Sequence, residues 1–117
     1  MTQTAFEMMK ASAHKALPIQ STQLAELPLS TRQQLLQGLQ AYIGSESEAL
    51  ETYLTAFSAG RTDAYLLLKD LSEAQLLPLR EAIQRYREQA LSEEAMVALK
   101  ILFNLIEGHC FYYYVSE

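Results

Sequence analysis

The sequence predicts an all-α domain of five to six short helices in an irregular, orthogonal or bundle-like array, with an apolar C-terminal helix at its centre. Three observations lead there. Thr4 with Glu7, Ser30 with Gln33, Ser45 with Glu48 and Ser72 with Gln75 each place a hydroxyl three residues ahead of a Glu or Gln, a spacing that satisfies two orphan helix-start amides reciprocally. Each pair is followed by apolar residues at three- and four-residue intervals, the period of a helix with one buried face. Strand-type alternation is missing apart from Phe111-Tyr112-Tyr113-Tyr114-Val115, which is β-favouring in composition but has no partner strand.

The first segment, about 5–16, sets Phe6, Met9, Ala13 and Leu17 on one face, and Pro18 is expected to stop it. Residues 18–29 read as a connector with about one helical turn, bounded by Pro18 and Pro28, with Leu24 and Leu27 packing inward. A second helix, about 31–43, carries Leu35, Leu36, Leu39, Tyr42 and Ile43, and Gly44 is placed to cap it. The link to the third helix is so short that the two form an antiparallel or sharply angled pair. That third helix, about 46–58, gathers Ala49, Leu50, Tyr53, Leu54 and Phe57 opposite Glu48, Glu51, Thr52 and Thr55, so one face is core and the other water. Gly60 ends it, and Thr62 or Asp63 can cap a short fourth helix through Tyr65, Leu67, Leu68 and Leu71.

Ser72 starts the next helix, and Pro78, six residues on, is expected to kink or restart it. Beyond it Leu79, Ala82, Ile83, Tyr86 and Ala90 line one face, while Arg80, Gln84, Arg87 and the Glu81/Arg85 pair make a solvated one. The last helix begins near 93, where Ser92 precedes two acids that suit a helix N-terminus. Met96, Val97, Leu99, Ile101, Leu102, Phe103, Leu105 and Ile106 occupy most of its circumference, leaving Glu93, Lys100, Asn104 and Glu107 as one thin polar stripe. Two continuations are open past Gly108. A continuing helix puts His109 and Tyr113 on the buried face and Phe111 on the stripe; a cap at Gly108 lets the aromatic tail fold back over the bundle.

Composition bounds the function. The chain has 117 residues, half of them apolar, and a formal charge of -5; this length suits one domain spanning residues 1–117. Such a charge opposes affinity built on phosphate contacts. A helix-turn-helix forced onto Leu39, Ile43, Gly44, Leu50 and Tyr53 would present Glu46, Glu48 and Glu51 to DNA without one basic residue, so no direct nucleic-acid contact is expected. The basic grouping Arg80, Arg85 and Arg87 is interleaved with Glu81 and Glu88 and reads as a solvated face. The apolar region from Ala95 to Ile106 is too short for a membrane span and is broken by Lys100 and Asn104. The first ten residues lack the pattern of a secretory signal, and the single Cys110 fits a reducing cytoplasm, which is the expected compartment.

Catalytic chemistry has little to stand on. The four glycines are isolated, read as helix ends or bends, and form no phosphate loop. Residues of nucleophile or ligand type crowd only at Glu107-Gly108-His109-Cys110, where neighbouring His and Cys diverge by about 100° on a helix and His14 is the only other histidine. A buried thiol beside a hydrogen-bonded histidine is the plainer reading. No cofactor or metal is expected. Met8, Met9 and Met96 serve as core filler, although Met8 and Met9 cannot both face inward. The expectation is therefore a small cytoplasmic protein-binding or regulatory protein, its partner another protein or a second copy of the chain. The candidate interaction surface is His109 with Phe111, Tyr112, Tyr113 and Tyr114, a cluster too apolar for an ordinary terminus. The rival reading is a small-molecule binder or enzyme with an interhelical pocket near His109 and Cys110. The acidic balance adds a bias toward a basic partner.

Overall fold

The computed structural model describes residues 5–43, 48–69, 71–89 and 91–110, with the side chains of residues 6, 9, 10, 13 and 14 outside that description. The described residues are helical throughout their ordered elements: α1 (Ala5–Ala25), α2 (Leu29–Ile43), α3 (Glu48–Ser58), a 3-10 helix (Ala64–Leu68), α4 (Glu73–Arg87) and α5 (Glu93–Cys110). Buried apolar side chains from every one of these elements join a single core, from Leu17 and Leu24 of α1 to Leu102 and Ile106 of α5. The all-α expectation holds.

α5 is the central helix. It packs most extensively against α1 and also touches α4 and α2. Ala95, Ala98, Leu99, Leu102, Leu105, Ile106, His109 and Cys110 are its buried residues. Lys100 and Asn104 face water as the periodicity implies, but Val97 joins them, half of it exposed.

Pro18 does not stop its helix, and Pro78 does not start a fresh one. α1 runs unbroken through Pro18 to Ala25, and α4 through Pro78 to Arg87. A helical proline costs roughly 3 kcal/mol through its missing N–H and its clash with the preceding turn. On α1 the ring is exposed while Leu17, Ser21 and Leu24 are buried on the opposite side. Burying two leucines contributes roughly 3–6 kcal/mol, enough to hold the helix across the proline and to convert the expected connector into its second half.

The starts vary in how closely they follow the sequence pattern. At Ser72 the hydroxyl accepts from the Gln75 amide at 3.2 Å while the Gln75 side chain accepts from the Ser72 amide at 2.8 Å. Ser92 accepts from the Ala95 amide at 3.2 Å. α2 instead begins one residue ahead of Ser30, with the Pro28 carbonyl accepting the Arg32 amide at 3.0 Å, so Ser30 lies inside the first turn and is not its cap. The Thr4 and Ser45 starts and the Gly44 cap fall outside the described residues. Asp63 precedes the 3-10 helix without capping it; its two carboxylate oxygens accept instead from Arg61, at 3.1 and 3.2 Å.

Glycines do more than punctuate. Gly60 ends the α3 turn at a φ of +82°, a conformation that side chains disfavour. Gly38 does not end a helix; it sits inside α2 against the Tyr86 ring of α4, where an added Cβ would lie 2.3 Å from a ring carbon. That contact sets the close approach of α2 and α4. α5 continues through Gly108 to Cys110, resolving the open alternative in favour of the helix.

Candidate functional site

The cluster at the C-terminal end of α5 is the first place to look for chemistry. His109 is fully buried and Cys110 is 7 % exposed; Phe111, Tyr112, Tyr113 and Tyr114 lie outside the described residues. Burial holds the His109 imidazole well below its ordinary range, at about 4, although a hydrogen bond to the Leu68 backbone favours the charged form. The ring is therefore neutral at pH 7. Burial likewise pushes the Cys110 thiol up, with Arg80 opposing the shift and Glu107 and Glu73 adding to it. A thiol raised in this way is a poor nucleophile. Among the described residues no group of three or more His, Cys, Asp or Glu side chains is placed to hold a metal ion.

Arg80 departs from the solvated role read from its neighbours. Its Nε donates to Glu107 Oε1 at 2.9 Å, tying α4 to α5, and its Nη1 lies 3.8 Å from Glu73 Oε1. Arg85 and Arg87 are exposed as expected. Arg32 is the other side chain whose work the sequence did not announce. Its Nε donates to the Leu27 carbonyl at 3.0 Å and its Nη1 to the Ser58 carbonyl at 2.6 Å, placing a cation at the negative end of the α3 dipole.

The surface that stands out lies on α3. Its inner face, Leu50, Tyr53, Leu54, Ala56 and Phe57, is buried, and burial raises the Tyr53 phenol above its ordinary value. Its outer side borders a broadly open trough of about 700 Å³ lined by Glu48, Glu51, Thr52, Thr55, Ala56, Ala59 and Arg61. The floor is made of small residues, because Thr52, Thr55, Ala56 and Ala59 follow one another at helical spacing. Two carboxylates stand at the N-terminal end. At the other end Arg61 is held by Asp63 as a bidentate pair, so its charge is largely matched. The sequence marked Glu48, Glu51, Thr52 and Thr55 as a wet face; its concavity and the place of Arg61 depend on how the chain folds back after Gly60, which periodicity does not encode.

Comparison with protein-family models, with curated proteins and with solved structures finds no match to the chain.

Proposed function

We propose that this chain is a small protein-binding or regulatory protein whose contact surface includes the outer trough of α3. The observation that carries the reading is the trough itself: a concavity of about 700 Å³, open to solvent and walled by Glu and Thr rather than by aromatic side chains. Small-molecule sites are enclosed, whereas an open trough floored by small residues suits a segment of another protein. Neither His109 nor Cys110 lines it, and the raised thiol gives the rival enzyme reading no activated group. No helix among the described residues is long and apolar enough to cross a membrane; together with a lone cysteine this supports placing the protein in the cytoplasm.

The test is partner capture from the native cell extract with Thr55→Arg, which fills the trough from an exposed position and leaves the core untouched. The reading expects a set of captured proteins that Thr55→Arg loses while its circular dichroism is unchanged. Capture indifferent to Thr55→Arg contradicts it.

A further inference from the structure

We infer that the outer stripe of α5 pairs with the same stripe of a second copy of the chain, in an antiparallel two-fold contact centred on Val97. This surface shares no residue with the α3 trough, so the pairing goes beyond the protein-binding reading and stands or falls separately from it.

Two independent features point to the contact. The first is apolar exposure on a helix otherwise committed to the core: Val97 is 52 % exposed, and Ile101, one turn on, is only half-buried. The second is charge. Glu93, Glu94 and Lys100 are all exposed, and among the described residues none of them makes an ion pair. Their own helix supplies no partner. Side chains meet along a helix at three- and four-residue spacing, and for Glu93 and Lys100 those positions in α5 are Met96, Val97, Phe103 and Asn104.

The order of residues along the stripe names the occupant. At about 100° per residue, Lys100 falls about 20° to one side of Glu93 and Val97 about 40° to the other. From its N-terminus the stripe therefore runs acid, apolar, base, and a copy running the opposite way presents base, apolar, acid. Glu93 and Lys100 are about 10 Å apart along the axis. A two-fold axis midway between them brings Lys100 of each copy level with Glu93 of the other and sets the two Val97 side chains together. Rotation about that axis reverses direction along the helices but not the side across them, so the opposite charges meet on one flank. A parallel copy would set like charges against each other, and a wholly basic or wholly acidic partner would leave one sign unmatched. Self-complementarity of this kind is what an isologous contact requires. Two helical turns make a small interface, so the dimer is weak, and salt weakens it further.

Sedimentation velocity over a concentration series of the full chain tests the pairing. A reversible monomer–dimer equilibrium is expected. Lys100→Glu and Glu93→Lys each weaken self-association at least fivefold, and mixing the two variants in equal amounts restores it, because each supplies the charge the other lacks. Val97→Lys abolishes it. Glu94→Lys forfeits the same helix-dipole benefit as Glu93→Lys but lies off the Lys100 flank, and it changes self-association less than twofold. A chain that stays monomeric at every concentration, a dimer indifferent to Val97→Lys, or a mixture that associates no better than its components overturns the pairing. None of these outcomes bears on extract capture and its loss with Thr55→Arg, which judge the α3 reading by themselves.

Discussion

Gly38 and Gly108 both lie inside helices, yet the side chains around them assign them opposite roles. At Gly38 an added methyl runs into the Tyr86 ring, and overpacking of this kind costs about 1–3 kcal/mol. At Gly108 the same methyl meets Leu17 Cδ2 at 3.5 Å, an ordinary contact, so alanine gains its helix preference of up to about 1 kcal/mol. Urea denaturation should therefore show Gly38→Ala destabilised and Gly108→Ala stabilised; two changes of the same sign contradict the packing described. His109 supplies a second test at this scale. Its folded value, about 4, lies below the ordinary 6.5 or so of an unfolded histidine. The unfolded chain thus takes up the proton first as pH falls. Stability from the neutral ring is complete above about pH 6.5 and lost progressively down to about pH 4, amounting to about 3 kcal/mol. His109→Leu should lose that part of the pH dependence between those limits; an unchanged slope means the imidazole is not held neutral by burial.

Elements show what local chemistry decides and what it does not. The Ser72 box was legible because its whole mechanism lies within four residues, and Ser72→Ala should cost about 1 kcal/mol in thermal or urea unfolding. A cost near zero would mean that the reciprocal bonds with Gln75 do not hold the start of α4. The amphipathic faces of α2, α3 and α4 were legible for the same reason, since burial follows period. Pro18 misleads a sequence reading because the opposing energy comes from Leu17 and Leu24 docked in the common core, a contribution with no local signature. Arg80 and Arg32 were unreadable for a similar reason: their partners Glu107 and Ser58 are 27 and 26 residues away. Ser30 shows the converse, a correct motif bypassed when Pro28 supplies the first carbonyl two residues earlier.

For the molecule as a whole, the charge of -5 is distributed unevenly. Residues 61–91 balance five bases against five acids, while Glu46, Glu48 and Glu51 fall within six residues of sequence and further acids follow residue 92. Structure separates these groups by role. Glu107 is engaged by Arg80 across two helices, whereas Glu48 and Glu51 face the trough. The apolar excess near the C-terminus is absorbed as far as Cys110 by α5 as the hub of the core, and His109 with it. The most direct measurement is a map of backbone amide hydrogen exchange in the full chain, free and loaded with the proteins it captures from extract. The account predicts perturbations concentrated between Glu48 and Arg61 with α5 little changed. Perturbations centred on α5 or on the residues after Cys110, with α3 silent, would contradict it.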